Sequence, residues 1–109
     1  MKLIKCIIQP YKLSDVVTAL QNVVAGMTIS EVRGFGQQKG QPLSYRGVEY
    51  DVALLPKVMI DIVTEDNRVD DVVQLVIKTA RTGRIGDGRI FVLPLEENYH
   101  VRTGFMDVG

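Results

Sequence analysis

One cysteine and one histidine in 109 residues exclude a good deal of chemistry before any pattern is sought. Cys6 cannot close an intrachain disulfide or build a thiolate zinc cluster by itself, and His100 is the only imidazole available to assist it. Such sparing use of cysteine points to a reducing compartment. Net charge is missing as well. Thirteen Lys and Arg balance thirteen Asp and Glu, so nothing pulls the chain as a whole toward nucleic acid or an anionic membrane, and any anion site has to be local. No apolar run approaches the roughly 18 residues of a membrane span, and Met1 to Pro10 reads as a strand rather than a cleavable signal, so a soluble, cytoplasmic protein is expected. Catalytic constellations are lacking too: Cys6 falls inside an apolar strand and His100 has no evident serine or cysteine partner, which argues for a binding protein rather than an enzyme.

What is present, 46% hydrophobic and 24% charged residues, suits one packed domain over residues 1–109. Lys2 to Gln9 is rich in Leu and Ile on both alternating faces and is stopped by Pro10, as in a buried strand. From Ser14 the period changes: Leu13, Val16, Val17, Leu20, Val23 and Val24 fall at helical spacing, with Ser14 or Asp15 as cap and Gly26 just beyond. Met27 to Gly36 returns to strand alternation, and Val58 to Val63 is another β-branched run. Val69, Val72, Val73, Val76, Ile77 and Ala80 form the stripe of a second helix, with Asp66 or Asn67 to cap it and Gly83 to close it. Asp70 and Asp71 suit its positive end better than they suit a metal pair. Ile90 to Leu95 supplies a last strand. The order βαββαβ, in two similar halves, is that of a ferredoxin-like α+β sandwich with both helices on one face of a four-stranded sheet. Because several strands are apolar on both faces, the open face is expected to be covered by identical subunits.

Two segments stand outside this scheme. Gln37 to Pro56 follows neither period, is polar with two tyrosines, and reads as a long binding loop between the second and third strands. Thr82-Gly83-Arg84-Ile85-Gly86-Asp87-Gly88-Arg89 packs three glycines and two arginines into eight residues. Glycines accept positive φ and let backbone N–H groups approach a ligand, and guanidinium forks suit phosphate oxygens. Residues 82–89 therefore read as a phosphate-binding loop. It is not a Walker A loop, since no Gly-Lys-Ser/Thr closes it, and its glycine order reverses the dinucleotide fingerprint. Arg33-Gly34-Phe35-Gly36 opens like an RNA-binding motif, but the stacking aromatics are missing from its continuation and nucleic acid is not expected.

The sequence resembles the PII signal-transduction proteins, trimeric sensors of nitrogen status. The likeness runs through Gly26-Met27-Thr28, Val32 to Gly36, Gln38-Lys39-Gly40, Tyr45-Arg46-Gly47, Glu49-Tyr50, Leu55-Pro56-Lys57-Val58 and Thr82 to Phe91. The resemblance implies a homotrimer with ATP or ADP in clefts between neighbours. Ile7, Thr28, Gly36, Gln38 and Val63 would contact the nucleotide, as would Arg84, Gly86, Asp87, Gly88, Arg89 and, from the next subunit, Arg102. It further implies that Gln38 ligates Mg²⁺ held by ATP, and that Gln38, Lys39, Lys57 and Gly86 receive 2-oxoglutarate. Tyr45, Arg46, Gly47 and Tyr50 would engage a target such as an ammonium transporter or an enzyme of nitrogen or carbon metabolism, with Tyr50 the acceptor for uridylylation. The alternative is a PII-like adenine-nucleotide binder serving another transporter or carbon-uptake system without a 2-oxoglutarate response; the presence of Gln38 and Lys57 argues against it. An acylphosphatase-like enzyme would need an N-terminal arginine and an asparagine on the sheet, and Lys2 to Gln9 has neither. His100 stands where the family usually has arginine, which implies a weaker or pH-sensitive contact to the terminal phosphates. Val48 excludes phosphorylation of a serine at that position, and Gln41 to Ser44 also departs from the usual pattern.

Overall fold

The computed structural model describes residues 1–35, 44–45, 48–49 and 54–107. Four long strands, β1 (Lys2–Ile8), β2 (Thr28–Gly34), β5 (Leu55–Thr64) and β6 (Gly88–Pro94), form one antiparallel sheet in the order β2-β5-β1-β6. Two-residue strands β3 (Ser44–Tyr45) and β4 (Val48–Glu49) pair with each other as a separate antiparallel ribbon. With helices α1 (Leu13–Leu20) and α2 (Val69–Ala80), the four long strands give the expected ferredoxin-like βαββαβ arrangement.

The two faces of the sheet follow from strand alternation. Ile4, Cys6 and Ile8 of β1 and Val58, Ile60 and Ile62 of β5 are buried beneath the helices. Val16 and Leu20 of α1 and Val72, Val76 and Ala80 of α2 close over them. Apart from Cys6, these side chains are β-branched where the backbone is extended, and they are spaced four apart where it is helical, so propensity and burial agree. Each fully buried aliphatic side chain contributes about 1.5–3 kcal/mol. The opposite face carries Leu3, Lys5, Ile7, Lys57, Met59, Asp61, Phe91 and Leu93, as the register sets Lys5 beside both Asp61 and Phe91. Phe91 and Leu93 are exposed, and Lys5 Nζ lies 3.0 Å from Asp61 Oδ1.

Several boundaries differ from the sequence reading. α1 stops at Leu20 rather than continuing to Val24: the N–H groups of Val23 and Val24 both donate to the Leu20 carbonyl, in a turn that still packs those valines on the core. Neither Ser14 nor Asp15 caps α1, and neither Asp66 nor Asn67 caps α2. Each helix is instead entered through one 3-10 turn, Pro10–Lys12 and Asp66–Arg68, that flows into the α-helix without a side-chain cap. Gly83 does not close α2, because Arg81 is already extended (φ −69°, ψ 132°). β5 begins at Leu55 and β6 at Gly88, so both strands reach further into the expected loops than hydrophobic pattern alone indicates. Within 37–56, where the sequence follows neither period, the β3–β4 ribbon provides a short piece of regular structure, and Leu55–Pro56 belongs to β5. Among the described residues no helix is long and apolar enough to cross a membrane.

Candidate functional site

At one end of the open face, the turn between α2 and β6 overhangs the ends of β1 and β5 and bounds a cleft of about 700 Å³. The turn is shaped by three left-handed glycines, Gly83 (φ 85°), Gly86 (φ 100°) and Gly88 (φ 116°). At Gly88 no other residue fits, since an added Cβ would lie 1.8 Å from the Ile7 carbonyl oxygen. That close approach is what seats the start of β6 against β1, with Gly88 opposite Ile8 and Arg89 opposite Ile7.

A carboxylate organises the inside of the turn. Asp87 Oδ2 accepts from the backbone N–H of Thr82 at 2.8 Å and of Gly83 at 2.9 Å, while Asp87 Oδ1 accepts from the Thr82 hydroxyl. The Arg84 N–H donates in turn to Thr82 Oγ1 at 3.2 Å. These bonds, led by the Thr82 hydroxyl, hold the Asp87 carboxyl below the usual carboxylate range. The N–H groups of Thr82 and Gly83 are therefore committed within the chain, and the cationic character of the site comes from side chains.

The turn is also tied to the sheet at one atom. The Gly86 carbonyl oxygen accepts from Lys57 Nζ and from Gln9 Nε2, each at 2.8 Å. Burial pushes the Lys57 ammonium pKa down, opposed by the nearby Asp87 carboxylate. Lys12, on the turn before α1, adds its positive charge near Asp87. Arg84 and Arg89 line the cleft from the turn and the first residues of β6, with Phe35, Ile85 and Phe91 as apolar walls.

Seven residues expected from sequence meet in this cleft: Ile7, Lys57, Arg84, Gly86, Asp87, Gly88 and Arg89. Thr28 and Val63 share its sheet face but stand outside its lining, toward the other end, Thr28 opposite Asp61 and Val63 opposite Leu3. Arg102 does not line the cleft of its own chain. It lies exposed in a turn of the C-terminal segment, where Tyr99 bridges to Met106 and the Gly104 N–H donates to the His100 carbonyl. His100 Nε2 is 3.7 Å from Asp107 Oδ2 in the same segment. Gly36, Gln38, Lys39, Arg46, Gly47 and Tyr50 lie outside the described residues, and Tyr45 is described only through its backbone pairing with Val48. Gln9, Lys12, Phe35 and Ile85 were not singled out from sequence as site residues. Nothing local marks Gln9, a strand-end amide before a proline; only the pairing of β1 with β6 brings it to Gly86. Among the described residues no group of three or more His, Cys, Asp and Glu side chains could hold a metal ion.

Fold and cleft together define a small ferredoxin-like α+β domain that carries an arginine- and lysine-lined turn beside a long inter-strand segment. The family model for nitrogen regulatory protein P-II matches residues 1–105. A nitrogen regulatory protein P-II of Microchaete diplosiphon is 55% identical over 105 residues, covering 95% of this chain and 94% of that protein. The nitrogen regulatory protein GlnK of Escherichia coli K12 is 50% identical over 108 residues, covering 98% and 96%. The chain belongs to the P-II nitrogen regulatory protein family, and is a nitrogen-regulatory signalling protein.

Proposed function

We propose that the protein reports cellular energy and carbon supply to a nitrogen-related target by binding ATP or ADP, with Mg²⁺-ATP joined by 2-oxoglutarate, in clefts between the subunits of a homotrimer. The observation that carries this reading is the convergence of Arg84, Arg89 and Lys57 on one cleft bounded by a glycine turn. Arginine forks pair with phosphate oxygens, and a flexible lysine beside them provides a second, separable anion position suited to a dicarboxylic acid. The cleft volume of about 700 Å³ is in the range of small-molecule sites, and its Phe35, Ile85 and Phe91 walls offer apolar area to a nucleotide. Apolar side chains left on the open sheet face, Phe91 and Leu93 among them, fit a face covered by other copies of the chain. Thr28 and Val63 on that face, and Arg102 in the C-terminal segment, would then complete a cleft begun by a neighbour.

In this reading Mg²⁺ would be held by the phosphates with Gln38, because a hard cation prefers oxygen ligands. Lys57, Gly86, Gln38 and Lys39 would receive 2-oxoglutarate. ADP lacks the γ-phosphate that helps hold the metal, so the two nucleotides bias residues 37–56 differently, and that segment, through Tyr45, Arg46, Gly47 and Tyr50, engages the target: an ammonium transporter or an enzyme of nitrogen or carbon metabolism. Tyr50 is the modification acceptor where a uridylylating enzyme exists. The protein performs no catalysis and works in the cytoplasm.

Calorimetry tests the reading. ATP and ADP bind the wild-type protein, and 2-oxoglutarate binds only when ATP and Mg²⁺ are both present. Absence of adenylate binding at millimolar concentration, or a monomer by light scattering, refutes it. Arg46→Ala removes target capture while nucleotide affinity stays within about twofold; a large loss of ATP binding would overturn this division of roles.

A further inference from the structure

The Gly86 carbonyl is held by two donors that differ in kind. Lys57 brings a charged ammonium on a four-carbon stem from near the start of β5, opposite Val32 of β2. Gln9 brings a neutral amide from the residue just past β1, a short and rigidly anchored position followed by Pro10. A carbonyl oxygen has two lone pairs, so both bonds form at once, and at 2.8 Å each is well made.

The atom they hold matters because of what is bonded to it. Gly86 has φ 100° and no Cβ to restrict rotation, so the peptide between Gly86 and Asp87 is free of the side-chain hindrance that would resist a flip. A trans peptide points its C=O and N–H in opposite directions. Fixing the Gly86 oxygen toward Gln9 and Lys57 therefore fixes the Asp87 N–H away from them. Asp87 is also the residue whose carboxylate organises Thr82 and Gly83, so a flip there would disturb the whole turn.

Lys57 alone makes an unreliable lock. Its ammonium has three hydrogens and carries the charge that an incoming carboxylate seeks, so a dicarboxylate competes with Gly86 for it. We infer that Gln9 is a positioning residue: its amide keeps the Gly86–Asp87 peptide in one orientation while Lys57 is shared with the carboxylate of the dicarboxylic acid ligand. This rests on the assignment of the dicarboxylate to Lys57 proposed above. Gln9 need not touch either ligand. Its contribution is to let the second ligand arrive without loosening the turn that holds the first, which makes the two binding events cooperative.

Gln9→Leu, of similar size and without a donor, tests this. For ATP in the absence of 2-oxoglutarate, the affinity falls by about twofold or less, because Lys57 still holds the carbonyl. For 2-oxoglutarate in the presence of Mg²⁺ and ATP, the affinity falls by roughly five- to tenfold, the worth of one hydrogen bond that is missed only when Lys57 is diverted. The ¹⁵N shift of the Asp87 amide reports the carbonyl bonded before it: it moves in Gln9→Leu, moves further on adding 2-oxoglutarate, and returns in Gln9→Lys, which restores a donor. Equal loss for both ligands, no loss for either, or an Asp87 amide that is the same in all three proteins overturns the inference. If the wild-type protein binds ATP but not 2-oxoglutarate, the functional reading fails on its own and the sharing of Lys57 falls with it. The Asp87 amide of the ligand-free Gln9→Leu protein still decides whether Gln9 locks the peptide.

Discussion

Replacing Gly88 by alanine probes the joint on which the cleft depends. Its added Cβ would sit 1.8 Å from the Ile7 oxygen, 2.9 Å from the Ile7 carbonyl carbon and 3.2 Å from Ile8 Cα, all backbone atoms of a central strand. A carbon–oxygen contact needs roughly 3.3 Å, so the two backbones must part by about 1.5 Å. Neither can yield through a side-chain rotation. Holding alanine at φ 116° adds about 1–3 kcal/mol of backbone strain, and parting the chains undoes the pairing of Gly88 with Ile8 and Arg89 with Ile7. Together these cost about 3 kcal/mol or more, a large share of the 5–15 kcal/mol that usually separates folded from unfolded. Urea denaturation followed by circular dichroism measures the loss, at one protein concentration because assembly would shift the midpoint. Two controls separate the contributions. Gly83→Ala, with φ 85° and open space around the new carbon, loses only about 1–2 kcal/mol, and Gly26→Ala, with open space and no positive φ, is close to neutral. A Gly88→Ala protein as stable as Gly83→Ala, and with unchanged ATP affinity, would refute the view that this contact seats the turn.

Removing either guanidinium, by Arg84→Ala or Arg89→Ala, weakens ATP binding by roughly tenfold to a hundredfold in calorimetry, since each charge-assisted contact is worth about 1.5–3 kcal/mol; fold and melting temperature change little, as both side chains are exposed. The Asp87 carboxyl titrates below the ordinary carboxylate range in the folded protein, so its contribution to stability is full above the unfolded value and is lost as pH falls through the folded one. Acid unfolding is therefore shallower in Asp87→Asn than in wild type below about pH 4, by a modest amount because the group is near solvent. The Cys6 thiol, completely buried and pushed up to about 11 by burial and by Asp61, does not react with a thiol reagent at about pH 8 until the protein is unfolded; rapid native labelling would contradict its place in the core. Leu20→Ala, which empties a fully buried position on the sheet-facing side of α1, costs about 2–5 kcal/mol in the same denaturation assay.

Much of this molecule is legible in its residue order. The period-2 runs and the two valine stripes are local signals, and they mark every long strand and both helices because apolar spacing has to match the element that buries it. The crowding of glycine and arginine between residues 82 and 89 marks an anion-receiving turn for the same reason: those residue types have few other uses at that density. Ends of elements were less legible. α1 stops at Leu20 although the apolar stripe runs on to Val24, since a turn can bury Val23 and Val24 as well as a helix can, and the pattern records burial rather than backbone hydrogen bonds.

What only the tertiary structure decided is which distant residues share an atom. Gln9 and Lys57 are 48 positions apart, and each is 29 or more positions from Gly86, yet the strand order β5-β1-β6 brings both to one carbonyl. Likewise, the family resemblance sets Asp87 beside a nucleotide, and only the folded turn shows its carboxylate taking the Thr82 and Gly83 N–H groups. Periodicity is a property of neighbours along the chain and can be read there. A shared acceptor is set by sheet register, which depends on all the paired strands at once.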